Sequence, residues 1–393
     1  MSSAPQQHRV YLDNNATTRV DPAVFKAMEP YLKEEYGNPS SLHQFGIEVR
    51  AGLKHALDQI YAAINADDDD DVIAVGCATE ANNTVLKSIY FDFIRTGKRT
   101  QIVTTKLEHP SISQTCEFLE TLGAKVVYLA PNSDGVITAD AVRQVVSDNT
   151  ALVSVMWANN ETGLINHVAD ICEVAHSVGA LFHTDAVQAM GKTHVDMRVC
   201  KADYLTFSAH KFHGPKGVGA LYVRKGAPLV PLLHGGEQMG GRRAGTLNVA
   251  YIVGMGVAIE QACGADMDAH LERIRRLRDK LEDELVRIPG VFVIGDRKDR
   301  TPNTIFASFR GVEGEALLWD LNRAGIAAST GSACASESLE ANPTITAMSI
   351  DTELSHTGIR YILSRFTTEE DIAAAARATV LAVDRLRKIS GIH

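Results

Sequence analysis

Residues 151–188 read ALVSVMWANNETGLINHVADICEVAHSVGALFHTDAVQ and contain two short apolar runs, 151–156 and 180–184, that polar residues follow closely. Similar runs recur along the chain at 72–75, 101–105, 125–129, 203–207 and 218–223. Helical stretches lie between several of them: in 111–122, Ile112, Cys116 and Leu119 recur at the spacing of one helix face. Short strands that alternate with helices predict an α/β fold with a largely parallel sheet.

The pattern of predicted strands and helices changes after about residue 250. A mixed-charge segment with helical spacing lies at 250–287. Shorter strand–helix units follow at 303–309, 313–323 and 358–364, and a last helix follows around 367–388. We therefore expect three parts: an N-terminal arm (1–20) packed with the small domain, a large domain (21–262), and a small C-terminal domain (263–393).

Composition argues against two classes of protein, those that bind nucleic acids and those that span a membrane. The chain has 393 residues, 45% of them hydrophobic, and its 39 basic and 48 acidic residues give a net charge of −9. An acidic chain argues against a nucleic-acid partner, and the absence of a 20-residue apolar stretch argues against a membrane helix. Without an apolar signal segment at its start, and with six cysteines that form no C-x-x-C pair, the chain is expected to be cytoplasmic.

The densest polar cluster is SAHKFHGPKG at 208–217, directly after the run at 203–207. Lys211 lies inside it, and a lysine whose pKa is lowered by burial or by a neighbouring charge forms Schiff bases with carbonyl compounds. Taken alone, a lysine beside a turn is more often a surface residue. His210 and His213 lack a third ligand at a plausible spacing, so no metal site is expected there.

Polar residues also follow four other apolar runs. Asp185 follows 180–184, where an acid would keep a pyridinium nitrogen protonated; a helix N-cap is the alternative. GCATEANN at 76–83 opens a helix whose free N–H groups suit an anion or a capping side chain. EHP at 108–110 and NNETG at 159–163 follow two more runs. Core packing gives no reason for this repetition, so the five clusters predict one functional site.

In combination these motifs resemble the pyridoxal-phosphate-dependent cysteine desulfurases, the NifS/IscS branch of the class V aminotransferases. SAHKFHGPKG, HTDAVQ, CATEANN, EHPSI and NNETG are joined by YLDNNATT (11–18), GNPSSLH (37–43), RRAGTLN (242–248) and GSACAS (331–336). The resemblance covers nearly the whole chain. It implies a fold-type I enzyme, whose large, cofactor-binding domain has a mostly parallel seven-stranded sheet flanked by helices, and whose smaller α+β domain carries the nucleophile loop.

The resemblance also implies which residues bind the cofactor, pyridoxal 5′-phosphate. Lys211 binds it covalently, Asp185 pairs with the ring nitrogen and Gln188 bonds the ring hydroxyl. His109 stacks on the ring and exchanges protons with the substrate. The phosphate is held by Ala78, Thr79, Ser208 and His210, together with Thr246 from a second subunit.

For the substrate, L-cysteine, the resemblance implies contacts with Asn38, Asn160 and Arg360. Cys334 is the implied nucleophile, which takes the sulfur as a persulfide while L-alanine is released. No metal is implied in the resting enzyme, although Cys334 is a candidate ligand for a transferred iron–sulfur cluster. A homodimer is implied as well, with a NifU- or IscU-like scaffold protein as the partner in iron–sulfur cluster assembly.

Two alternatives remain open at this point. One is another fold-type I pyridoxal-phosphate enzyme, such as a selenocysteine lyase or an aminotransferase. The other is a non-catalytic thiol carrier without a cofactor.

Overall fold

The structure, a computed structural model, describes residues 8–330, 343–348 and 352–391. The predicted nucleophile Cys334 lies outside these ranges. Within them, every helix is too short or too polar to cross a lipid bilayer.

Seven of the described strands form the main sheet, in the order β2-β8-β7-β6-β5-β3-β4. The strands are β1 (Val10–Tyr11), β2 (Asp71–Val75), β3 (Gln101–Thr105), β4 (Lys125–Leu129), β5 (Thr150–Ser154), β6 (Leu181–Asp185), β7 (Tyr204–Ser208), β8 (Gly219–Val223), β9 (Val291–Val293), β10 (Thr304–Phe309), β11 (Ile326–Ala327) and β12 (Gly358–Ile362). In this sheet β8 runs in the opposite direction to the other six strands. The predicted mostly parallel seven-stranded sheet is therefore confirmed.

Helices cover both faces of this sheet. They are α1 (Pro22–Lys33), α2 (Gln44–Ala63), α3 (Ala78–Ile89), α4 (Pro110–Thr121), α5 (Ala139–Arg143), α6 (Val168–Ser177), α7 (Met197–Cys200), α8 (Val249–Cys263), α9 (Met267–Leu285), α10 (Gly314–Arg323), α11 (Pro343–Ala347), α12 (Thr352–Ser355) and α13 (Glu369–Ser390). Alternate residues of β2 pack on opposite faces: Val72 joins a core with α1, α2, α6 and α8, whereas Ile73 joins a core with α3 and α4. Burial on both faces is why such strands are continuous apolar runs.

The C-terminal part has its own antiparallel sheet, β12-β10-β9, covered by α9, α10 and α13. The N-terminal arm reaches this part of the chain, because β1 pairs in parallel with β11, and Val10 and Leu12 join the same buried core. The boundary predicted at residue 262 falls at the end of α8, and the division into domains stays a prediction.

The five polar clusters predicted from the sequence follow strands that run in one direction. β3, β5, β6 and β7 are parallel, and β2 runs the same way because it and β7 are both antiparallel to β8. Their carboxyl ends share one edge of the sheet, which is where α/β folds bind ligands.

Candidate active site

Lys211 ends a 3₁₀ turn, Ala209–Lys211, that directly follows β7. The side chain is half-buried, and its Nζ donates hydrogen bonds to the carbonyl oxygens of Asn15, at 2.6 Å, and Ala16, at 2.8 Å. The amine is thus held at the carboxyl edge of the sheet by backbone atoms of the N-terminal segment.

The same N-terminal segment also fixes the turn around the lysine. Thr18 Oγ1 donates to the carbonyl oxygen of His210 at 2.9 Å and accepts from the backbone N–H of His213 at 2.9 Å. Nδ1 of His210 lies 3.2 Å from Thr17 Oγ1. Burial, with smaller contributions from Lys211 and other lysines, lowers the pKa of His210 to about 4, so this imidazole is neutral at pH 7.

Asp185, the last residue of β6, is a buried carboxylate that accepts hydrogen bonds from two groups. Its Oδ1 accepts from the backbone N–H of Val187 at 2.9 Å, and its Oδ2 accepts from Asn82 Nδ2 at 2.8 Å. Asn82 is itself fully buried and accepts from Thr206 Oγ1 at 2.6 Å. The carboxylate is therefore held in one orientation.

His109 is the N-cap of α4, and its Nδ1 accepts the backbone N–H of Ser111 at 3.1 Å. Burial lowers the pKa of His109, while the charge of Asp185 raises it and that of Lys211 lowers it. Asp185 and His109 are joined through Asn82, which donates to Asp185 Oδ2 and to Ser111 Oγ, the oxygen that lies 2.8 Å from His109 Nδ1. The charge of Lys211 acts on the same imidazole, so the three predicted residues lie near one another.

Asn15 connects several other predicted residues. Its Nδ2 donates to the carbonyl oxygen of Asn160 at 3.0 Å, and its own carbonyl oxygen accepts from Gln188 Nε2 at 3.2 Å. Its Oδ1 accepts from Nζ of Lys192 at 2.9 Å, and Lys192 also hydrogen-bonds Oε1 of Gln188. Lys192 is buried, which lowers its pKa well below the ordinary value, and the charges of Lys211 and Arg360 add to this shift.

Arg360, on β12, brings the small sheet to the site. Its Nη1 donates to the carbonyl oxygen of Asn160 at 3.0 Å, and its Nη2 lies 2.9 Å from Asp13 Oδ1. The side chain is buried, and its Nε has no hydrogen-bond partner among the described residues. A buried guanidinium with an unused donor suits a carboxylate ligand.

A second part of the site suits an anion. The N-cap of α3, Cys77, makes no side-chain hydrogen bond, so it leaves N–H groups of the first turn uncapped. The start of α3 lies against β8: a Cβ added to Gly219 would lie 3.2 Å from the Ala78 nitrogen and 2.6 Å from the Phe207 carbonyl oxygen. Ser208, which pairs with Gly219, is buried beside this start. Thr79 is exposed and lines an open pocket together with His109.

Three predicted residues are not part of these contacts. Asn38 is exposed, and its Oδ1 accepts a local hydrogen bond from the backbone of Ser40 at 3.0 Å. Thr246 is exposed in the 242–248 loop. Cys334 lies outside the described residues, so its placement stays a prediction.

Sequence reasoning assigned no role to Asn82, Ser111 or Lys192. A signal for Asn82 was available, since it is a polar residue on the apolar stripe of α3 formed by Ala78, Ala81 and Val85. For Lys192 there was none, because a lysine after a glycine is typical of an exposed turn.

Comparison with known proteins gives one consistent result. The model of the family "Aminotransferase class-V" matches residues 10–374. A cysteine desulfurase of Enterobacter agglomerans is 46% identical over 97% of this chain and 94% of that protein. The cysteine desulfurase IscS of Dictyoglomus turgidum is 43% identical over 98% and 97%.

Solved structures agree with this result. A structure titled as a NifS-like protein superposes with a TM-score of 0.88 and 36% identity, over 97% of this chain and 99% of that one. The fold, the matched range and the level of identity all point the same way: the chain belongs to the aminotransferase class-V family, among its cysteine desulfurases.

Proposed function

We propose that this protein is a cysteine desulfurase that converts L-cysteine to L-alanine and transfers the sulfur to Cys334 as a persulfide. Its family depends on pyridoxal 5′-phosphate. The observation that supports the proposal is that Lys211, Asp185 and His109, which lie at or after the ends of three separate strands, are near one another. An amine, a buried acid and an imidazole are the groups that this chemistry needs.

The residues present fit the cofactor. Asp185 is a buried and firmly held acid suited to the ring nitrogen, and Gln188, whose Nε2 donates to the Asn15 carbonyl oxygen, would bond the ring hydroxyl. The uncapped start of α3, with Ala78, Thr79, Ser208 and His210, would hold the phosphate. When bound, the cofactor supplies an electron sink that draws charge from the substrate's α-carbon.

The substrate is held by its carboxylate. Arg360 would use for this carboxylate its Nε donor, which no other described residue binds, while Asp13 and the Asn160 carbonyl oxygen keep the guanidinium in place. The Lys211 amine is the base that takes the proton from the substrate's α-carbon.

Sulfur transfer requires the thiolate of Cys334, because the thiol form is a poor nucleophile and a free thiol has a pKa of about 8.5. The thiolate attacks the substrate sulfur, so that a new S–S bond forms as the Cβ–S bond breaks. The electron pair of the broken bond stays on the organic fragment, which takes up protons and leaves as alanine.

The proposed partners are a second copy of the chain and an iron–sulfur scaffold protein. Large apolar side chains are exposed near the start of the chain, at Tyr36, Leu42 and Phe45, and Leu42 is 87% exposed. Such a patch suits a subunit interface, and a homodimer would also give the exposed Thr246 a role at the partner's phosphate site. The scaffold partner and a cytoplasmic location rest on the family resemblance and the sequence.

The decisive variant is Cys334→Ala. It should keep the absorbance of the bound cofactor but form neither alanine nor sulfide from L-cysteine, whereas Cys263→Ala, at a partly buried cysteine, should remain active. Full activity in Cys334→Ala would contradict the proposal. A requirement for a 2-oxo acid would indicate an aminotransferase instead, and a colourless protein a thiol carrier.

A further inference from the structure

The ring of His109 is held at its Nδ1 by two groups of the same residue. The backbone N–H of Ser111 donates to Nδ1 at 3.1 Å, and the hydroxyl oxygen of Ser111 lies 2.8 Å from the same atom. A nitrogen that accepts a backbone N–H carries a lone pair and no proton. In the neutral ring the proton is therefore on Nε2, and the hydroxyl can only donate to Nδ1.

The amide of Asn82 fixes the direction of the whole chain of hydrogen bonds. A carboxylate only accepts, so the atom that faces Asp185 Oδ2 at 2.8 Å must be the amide nitrogen. The other N–H of this nitrogen points to Ser111 Oγ, at 2.9 Å. Because that oxygen accepts from Asn82, its own hydrogen is left for Nδ1 of His109. Asn82 thus fixes both the carboxylate and, through Ser111, the imidazole.

Protonation of Nδ1 would place its hydrogen against two donors at the start of α4, where the helix dipole also disfavours a cation. The charge of Lys211 lowers the pKa of His109 and that of Asp185 raises it, and the lowering by burial is larger than either effect. Glu108, whose pKa is raised to about 8, is mostly uncharged at pH 7, and Lys87 lines the same pocket as His109. The balance leaves the ring neutral.

We propose that His109 works as a neutral hydrogen-bond donor through Nε2, and that Asn82 and Ser111 are the positioning residues that keep it in this form. This inference rests on the proposed function for what the donor faces, the cofactor and substrate. The ring therefore enters the reaction as a neutral imidazole with its proton on Nε2, and the proton exchange implied by the family resemblance would start from this form. A neutral histidine at a helix N-terminus serves as a donor of this kind in other enzymes.

The tautomer can be read directly in the holoenzyme labelled with ¹⁵N-histidine. Long-range ¹H–¹⁵N spectra should show the His109 signal, assigned by its loss in His109→Gln, with Nδ1 unprotonated and Nε2 protonated. This pattern should persist as the pH falls through about 6.5, where an ordinary histidine titrates. A protonated Nδ1, or titration at the ordinary value, would overturn the proposal.

Ser111→Ala tests the positioning role. Loss of one donor to Nδ1 should raise the titration midpoint of His109 by about half a unit to one unit, because a hydrogen bond to the neutral form is lost. Ser113→Ala, on the same helix, should leave the midpoint unchanged, and an unchanged midpoint in Ser111→Ala would remove Ser111 from the proposal. Both measurements use spectra and not turnover, so a failure of the desulfurase assignment would leave them readable.

Discussion

Asp185 stands at the end of a buried strand with both carboxylate oxygens hydrogen-bonded. Asp185→Asn keeps the size of this side chain but removes the charge that would hold a proton on the ring nitrogen. Since such electrostatic support contributes about 10²–10³ in rate, we expect alanine formation to fall by at least about 100-fold. The measurement is alanine formed from L-cysteine by the cofactor-loaded protein. Asp170→Asn, on the exposed side of α6, is the control, and equal rates for the two variants would contradict the assigned role.

Lys192 predicts a pH dependence of stability. Burial lowers its pKa well below the ordinary value, so this amine loses its proton at a lower pH in the folded chain than in the unfolded chain, where it titrates near pH 10.4. The unfolded state then binds one more proton, and the free energy of unfolding rises with pH between the two pKa values, by about 1.4 kcal/mol per pH unit. Lys192→Met should remove this contribution to the slope.

The check is the free energy of unfolding in urea at pH 7, 8 and 9 for the parent protein and for Lys192→Met. Lys54→Met, at an exposed position on α2, should keep the parent's slope. A Lys192→Met protein whose stability rises with pH as steeply as the parent's would mean that Lys192 is charged in the folded state.

At this scale the sequence predicted the residues whose chemistry is visible at a strand end, such as Lys211 and Asp185. It did not predict Asn82, because its function depends on which side chains from β6 and α4 lie next to α3. Nor did it predict Lys192, because only the folded chain shows that Asn15 and Gln188 accept its hydrogen bonds.

Among the secondary-structure elements, the contact between β8 and the start of α3 decides the shape of the proposed phosphate site. Gly219→Ala would place a methyl group 2.6 Å from the Phe207 carbonyl oxygen and 3.2 Å from the Ala78 nitrogen, so the backbone between β7 and the start of α3 must shift. We expect the affinity for pyridoxal phosphate to fall by about tenfold, which corresponds to about 1.4 kcal/mol. Titration of the cofactor-free protein measures this affinity, and an unchanged circular dichroism spectrum would show that the sheet still forms. An unchanged affinity would place the phosphate elsewhere.

The elements that the sequence predicted are those long enough to show a period. The seven main strands and the last helix were found to within a few residues, because each has at least five residues of pattern. β1, β9 and β11 have two or three residues each, too few for an alternation of apolar and polar positions. The segment at 250–287 proved to be two helices, α8 and α9, because the first one ends at Cys263 and the next residue, Gly264, is extended.

Across the whole molecule, the N-terminal segment joins the two ends of the site. It binds Lys211 through the carbonyl oxygens of Asn15 and Ala16, and Arg360 through Asp13. In the sequence, the motif YLDNNATT is identified only by its resemblance to the family. Backbone carbonyl oxygens are present at every residue, so no residue type in the sequence predicts that two of them will bind Lys211.

If two subunits share each active site, two inactive variants should restore activity when they form mixed dimers. Lys211→Ala chains lack the reactive amine, and Thr246→Asp chains would present a negative charge to the phosphate of the partner's site. Each variant alone should form little alanine. Co-expressed in equal amounts, they should regain about a quarter of the parent activity, because half of the random dimers are mixed and one of the two sites in each has both native residues. If Thr246 instead served the site of its own chain, every site in the mixture would carry one defect. The mixture would then stay as inactive as its parts, and the shared site would be refuted.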